Sequence, residues 1–296
     1  MASAPANRAI VESILSRQLG LDLPAVRDPQ GSIVLQPTLA ARFKMRGGVD
    51  ARQLDVAQVL AARLATIAAL CFDRPLMLKE LSAAVIRRRI LQTGALWVGL
   101  EQLLDVCWQI GVPVVHLCQL PYGSKKMDGM VCWAEGRPVI VVACQHKSMA
   151  WQLFILAHEL GHIICGHLLP DSPHILDDKV STDVLEQQEQ EANDFAVTML
   201  MGHKNMAFRP QSSLLTGPEL AEDAKELGAD LQIDPGIIAL NYSWHQRGFP
   251  VAMTALTLIE PDANAADLFK SKYDHLDLEA LPQDSRRVFN CLTLTE

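Results

Sequence analysis

Runs of apolar residues, punctuated by proline, glycine and polar clusters, divide the chain into helices and strands. A short helix is predicted near Asn7 to Leu19, followed by Pro/Gly-punctuated sequence through Gly47-Gly48. Asp50 to Cys71 and Leu78 to Gln92 read as helices, the second closed by Thr93-Gly94, and Gly99 to Ile110 as a third. Val112 to Leu117, Gly129 to Ala134 and Pro138 to Ala143 read as strands, with Glu135-Gly136 placed to turn a hairpin. Two longer helices follow, then short ones over Pro218 to Leu227 and Pro235 to Gln246, and a strand-like run from Val251 to Ile259. From Pro261 onward the pattern is polar and mixed and assigns no element. No internal repeat or low-complexity tract is present.

The first long helix carries the chemistry. From Met149 to Leu169 no proline interrupts, Ser148 is placed as its N-cap, and nearly every face is apolar (Leu153, Phe154, Ile155, Leu156, Leu160, Ile163, Ile164). Inside it stands His158-Glu159-Leu160-Gly161-His162, an HExxH box. Residues four apart share a helix face, so both imidazoles can reach one metal ion, and Glu159 can take a proton from water at the open position. An accidental HExxH is expected about once per hundred chains of this composition, so its setting has to carry the case. Two histidines and a glutamate on an apolar helix are costly to desolvate unless something satisfies them, and a metal does so. The competing reading is a core helix whose polar groups pair with backbone or water.

Catalytic zinc takes three side chains, so a third ligand is needed. His167 is one candidate, but the HExxHxxGxxH pattern needs glycine at 165 and histidine at 168, where this chain has Cys165 and Leu168. Extrapolated along the helix, His167 points away from the ligand face and reads as a surface or helix-end histidine. The next helix offers more. Asp183 with Glu186 resembles a capping box, and the helix should run to about Met201 and stop at Gly202. Glu189 shares a face with Leu185, Ala192, Asn193, Ala196 and Leu200, whereas Glu191 shares one with Gln187, Gln188, Asp194 and Thr198. Periodicity favours Glu189 as the third ligand and leaves Glu191 as the alternative.

Leu156-Ala-His-Glu-Leu-Gly-His162, together with Glu189-x-x-Ala-Asn193-x-Phe-Ala196 and a trailing Met-Leu-Met, resembles the ImmA/IrrE family of metallopeptidases. Upstream, Leu100 to Leu117 and Asp128 to Val142 look like that family's helix-then-strand and strand pair, and the resemblance covers roughly residues 75–245. It implies His158, His162 and Glu189 as metal ligands, Glu159 as the catalytic base, and Asn193 as a residue supporting Glu189 from one turn away. It also implies a zinc peptidase that cleaves a helix-turn-helix repressor. The expected architecture is α+β: a zincin-like helical core with a small mixed or antiparallel sheet before the active-site helix. A helical N-terminal segment (1–74), a peptidase domain (75–205) and a helical or mixed C-terminal segment (206–296) are expected. The chain departs from the family pattern at Met199-Leu-Met-Gly202, where relatives often end Leu-Leu-Met-Pro, and no DNA-binding or sensor segment is recognisable.

Composition narrows the function. Nearly half the residues are hydrophobic (49%), enough for a sizeable core, and a formal charge of −8 argues against direct nucleic-acid binding. Basic clusters at Arg42–Arg46 and Arg87-Arg-Arg89 read as solvated helix faces. Seven cysteines without a CxxC predict reduced thiols, with Cys165 a small buried hydrophobe. No run of 18 uncharged apolar residues occurs and the N-terminus lacks a signal-peptide pattern, so a soluble cytoplasmic protein without membrane association is expected. The leading expectation is a zinc endopeptidase acting on a transcriptional repressor, with another divalent metal able to replace zinc. An extended substrate would add to a strand edge within residues 129–143. Tyr242, His203 and His245 are available as oxyanion donors but read as structural or exposed. The alternative is a regulatory interaction module that holds the metal without turnover.

Overall fold

The computed structural model describes residues 56–120, 127–168, 182–209, 214–246 and 248–293, with positions 12, 16 and 24. The first described helix, α1 (Val56–Leu70), has ten of its fifteen residues buried, all of them alanine, valine, leucine or isoleucine. A helix apolar on nearly every side belongs in a core, and small side chains let it approach a sheet closely. Much of the helix expected over 7–19, the basic cluster at 42–46 and the first residues of the 50–71 helix lie outside the described residues. α2 (Ala83–Gln92) begins later than the pattern indicated, capped by Ser82, whose side chain accepts from the Val85 N–H. The preceding residues are held in a turn: Glu80 has a φ of 63°, and the Met77 N–H donates to Ile110 O at 2.8 Å. α3 (Leu100–Gln109) follows as read.

The sheet is small and mixed. β1 (Val114–His116), β2 (Gly129–Ala134) and β3 (Arg137–Val142) lie in the order β1-β3-β2, with β1 parallel to β3 and β2 antiparallel to it. The hairpin turns at Glu135 (φ 47°) and Gly136 (φ 82°), the positive pair that suits a tight antiparallel connection. Val139, Ile140, Val141 and Val142 are each 0% exposed, so helices cover both faces of the central strand. α1 and α4 (Met149–Ile164), the HExxH helix, both pack on β2 and β3. α5 (Thr182–Met201) crosses α4, and its C-terminal stop at Gly202 is as expected. The side chain of Asp183, and with it the capping box read there, lies outside the described residues.

Three helices, α6 (Gly217–Leu231), α7 (Pro235–Gln246) and α8 (Phe249–Ile259), pack against one another beyond α4 and α5. α8 corrects the strand-like reading of 251–259. Ala252, Ala255 and Leu256 are buried at helical spacing, Pro250 sits in the first turn, and the Thr254 and Thr257 hydroxyls donate to Pro250 O and Met253 O. The tail left unassigned by the pattern forms α9 (Ala265–Ser271), 3-10 turns at Tyr273–His275 and Leu278–Ala280, and α10 (Gln283–Thr293). It closes the outer edge of β1. The His116 N–H donates to the Tyr273 hydroxyl at 2.9 Å, and the Cys118 N–H to Leu292 O at 2.8 Å. Among the described residues no strand pairs with the outer edge of β2.

Arg87 corrects the reading of its cluster as a solvated face. Its guanidinium donates to Met199 O and Leu200 O at the end of α5 (3.3 and 2.8 Å) and to Leu231 O and Gln232 O at the end of α6 (3.4 and 2.8 Å). Carbonyls at a helix C-terminus lack intrahelical donors and carry the negative end of the helix dipole. One cation therefore ties two helix ends to α2.

Candidate metal centre

α4 starts where the sequence places its cap: Ser148 Oγ accepts from the Trp151 N–H at 3.2 Å. A carboxylate reinforces the same end. Glu260 accepts from the Met149 N–H at 2.8 Å and from the Ser148 hydroxyl. Burial pushes the Glu260 carboxyl above its ordinary range, against the pull of these donors.

The crossing of α4 and α5 is set by the residue inside the HExxH box that has no side chain. A Cβ built on Gly161 would lie 3.0 Å from Ala192 O and 3.1 Å from Ala192 Cα, so the two backbones meet at this point. Glu189 stands almost one turn before Ala192 and is carried to the imidazoles by that contact. His158 Nε2 and His162 Nε2 are 3.1 Å apart, with Glu189 Oε2 3.3 Å from the first and Oε1 3.4 Å from the second. Ligand atoms about 2.0–2.1 Å from a tetrahedral zinc sit about 3.3–3.4 Å from each other. Two imidazole nitrogens and a carboxylate at this spacing fit a zinc-type divalent cation, and these three residues form the metal-capable cluster found among the described residues.

Around the three atoms, polar groups fix the rings. Asn193 Oδ1 lies 2.9 Å from His158 Nδ1; as an acceptor it takes that N–H and leaves Nε2 of His158 bare toward the centre. Asn193 was expected to support Glu189, and its hydrogen bond goes to the histidine instead. Glu159 is 2% exposed, on the flank of α4 that meets β2. A Cβ on Gly129, the first residue of β2, would lie 2.9 Å from Glu159 Oε1 and 2.9 Å from Ile155 Cγ2. The Glu159 carboxylate therefore occupies room that exists because position 129 has no side chain. Cys132 of β2 is also near: burial raises its thiol, and the Glu159 charge adds to that.

His167 corrects the sequence reading. It stands at the helix end, one of the two places expected, but is 8% exposed rather than at the surface, and its Nδ1 lies 2.9 Å from His162 Nδ1 while its Nε2 lies 2.9 Å from Glu191 Oε2. The helix has ended by then. Gly166 takes a φ of 76°, and the His167 N–H donates to His162 O at 3.0 Å, so the chain folds back along the last turn. Extrapolating the helical phase past Ile164 pointed the ring in the wrong direction; a glycine just past the apolar run was the available signal. Glu191, the alternative third ligand, is turned away from the imidazole pair. It accepts from His167 and from Gln187 Nε2 at 2.8 Å, and the His167 hydrogen bond holds its carboxyl below the usual range. Cys165 is exposed, not the buried hydrophobe expected. Tyr242 is buried with its hydroxyl accepting from the Leu215 N–H, and His203 and His245 are exposed.

The His-His-Glu centre is a cluster able to hold a divalent metal ion. Residues 112–225 match the family model of Peptidase M78, described as the IrrE N-terminal-like domain, so this stretch is similar to an ImmA/IrrE-type metallopeptidase domain. The matched stretch contains the sheet, both crossing helices and every residue placed at the centre. No curated protein and no solved structure matches the chain. Among the described residues no helix is long and apolar enough to cross a membrane.

Proposed function

We propose that this protein is a zinc-dependent endopeptidase of the cytoplasm that cleaves one regulatory protein, a helix-turn-helix transcriptional repressor. The single observation that carries the peptidase reading is the convergence of His158, His162 and Glu189 within 4.8 Å of one another on two crossing helices, with Glu159 on the same turn as the imidazoles. The match to a peptidase family supports the class of reaction. The repressor as substrate is supported by the resemblance of the two helices to the ImmA/IrrE pattern.

His158, His162 and Glu189 would hold the ion. When bound, zinc supplies Lewis acidity, which acidifies water and polarises a peptide carbonyl. Glu159 accepts the proton of the attacking water on its carboxylate and hands it to the nitrogen that leaves. Burial keeps that carboxylate out of bulk water, where a proton would be exchanged away. The outer edge of β2 presents backbone N–H and C=O groups beside Glu159, and an extended substrate can add there as a further strand.

Incubation of the zinc-loaded protein with a purified helix-turn-helix repressor tests this against the Glu159→Gln variant. Glu159→Gln is expected to keep one zinc per chain and to lose cleavage by about 100-fold or more. Equal cutting by both proteins would overturn the base assignment. Zinc binding with every offered repressor left intact would favour a metal-holding interaction module over a peptidase.

A further inference from the structure

We propose that His167 and Glu191 form a positioning dyad that fixes the orientation and tautomer of His162, so that its Nε2 is presented to the metal. The inference rests on the zinc reading above and adds two residues to it, neither of them a ligand.

The direction of the hydrogen bonds follows from the outer end. A carboxylate can only accept, so Glu191 Oε2, 2.9 Å from His167 Nε2, takes a hydrogen from that nitrogen. A neutral His167 with its proton on Nε2 has a bare Nδ1. That Nδ1 is 2.9 Å from His162 Nδ1 and must accept from it. His162 then carries its proton on Nδ1, and its Nε2 is the acceptor 3.4 Å from Glu189 Oε1. With His167 neutral, the chain of donors and acceptors read inward from the carboxylate has one arrangement, and it faces a lone pair to the centre. On the other imidazole Asn193 does the same work in one step, through His158 Nδ1 at 2.9 Å.

Geometry also restricts His162 to one ring orientation. The His162 and His167 rings meet edge to face, with centroids 5.1 Å apart and planes at 67°. His167 itself is fixed by the helix-terminating turn and by burial, whereas Glu191 stands at the surface, 45% exposed at its side chain. A histidine that served only to fill the core would need neither a carboxylate on one nitrogen nor a ligand imidazole on the other. Groups that orient metal ligands in this way are typically worth 10- to 100-fold in metal affinity.

Zinc affinity by chelator competition separates the roles, together with the imidazole N–H proton resonances of the zinc-loaded protein. His167→Ala and Glu191→Ala are expected to bind one zinc at saturation, with affinity about 10- to 100-fold weaker for the first and several-fold weaker for the second. His167→Asn, whose side-chain oxygen can accept from His162 Nδ1–H, should recover much of the loss. The slowly exchanging His162 Nδ1–H signal should be present in the parent and in His167→Asn and absent from His167→Ala. Wild-type affinity in His167→Ala, or an unchanged His162 signal, overturns the dyad. So does complete loss of zinc in Glu191→Ala, as expected instead for Glu189→Ala, because Glu191 would then be a ligand. Should His167→Ala fail to fold, Glu191→Ala, a change at the surface, decides alone. A parent protein that binds no zinc defeats the underlying peptidase reading, whereas a zinc-binding parent with unaltered variants defeats the dyad only.

Discussion

The two ends of α4 both bury polar groups, and they do so in opposite ways. At the N-terminal end donors meet acceptors. Ser148 Oγ takes the Trp151 N–H, Glu260 takes the Met149 N–H and the Ser148 hydroxyl, and Gln152 Nε2 donates to Cys144 O and His146 O at 2.7 Å each. Nearby, Asp234 precedes α7 and accepts from the Gly236 N–H at 2.8 Å and the Ile237 N–H at 3.3 Å. At the C-terminal half the outward nitrogens of the histidines are engaged by Asn193 and His167, and the inward atoms of three side chains are all acceptors, 3.1–3.4 Å apart. Acceptors brought that close repel unless positive charge lies between them. Polar burial that alternates donor with acceptor builds a helix end; polar burial in which acceptors converge builds a cation site.

The largest way to break the comparison is to separate the two helices at the site. Gly161→Val places a branched side chain where a Cβ already comes within 3.0 Å of the Ala192 backbone. About 1–3 kcal/mol of stability should be lost to overpacking, and zinc affinity should fall by about 100-fold or more as Glu189 moves off the imidazoles. Thermal denaturation and chelator competition measure the two effects; unchanged affinity would mean that the crossing does not set the site. A smaller effect should come from the other glycine. In Gly129→Ala the new methyl, 2.9 Å from Glu159 Oε1, displaces the Glu159 carboxylate while His158, His162 and Glu189 stay in place. Turnover is expected to drop about 10- to 100-fold with zinc stoichiometry intact, since misplacing a catalytic group by about 1 Å carries that cost.

The opposite end of α4 should respond to pH instead. Burial pushes the Asp234 carboxyl up to about 6 from its ordinary 3.8, and the charge of Glu260 adds in the same direction. The folded state then holds a proton that the unfolded state has released, so this contribution to stability is present below about pH 4 and is lost as pH rises through about 6. Asp234→Asn, which keeps an oxygen for the Gly236 N–H, should flatten that segment of the stability curve. The change expected across it is on the order of 1–3 kcal/mol. Urea unfolding between pH 4 and 7 checks it, and an equal slope in both proteins would remove Asp234 as the cause.

Much of the site was legible because local signals and tertiary contacts agree there. Ser148 caps the helix it was expected to cap, Glu135-Gly136 turns the hairpin, and the faces of Glu189 and Glu191 diverge as their periodicity indicated. What escaped was placed by chain reversals and distant partners. His167 lies beyond a left-handed glycine, so no helical phase applies to it. α8 is apolar enough to read as a strand, and its helical state comes from packing on α6 and α7. Ala265 to Thr293 form short helices and turns held by remote groups, such as Lys272 Nζ on Asp105 Oδ1 at 2.7 Å and the Asp277 N–H on Cys71 O at 2.8 Å. No window of local sequence contains those partners.

The guanidinium of Arg87 has a practical consequence for anyone dividing the chain. The family match stops at residue 225, inside α6, yet two of the carbonyls that Arg87 binds belong to Leu231 and Gln232. A fragment trimmed to the matched boundary would cut that helix short and strip half the acceptors from a cation that also anchors the end of α5, the helix that carries Glu189. Extending the fragment past Gln232 keeps all four carbonyls on the same arginine.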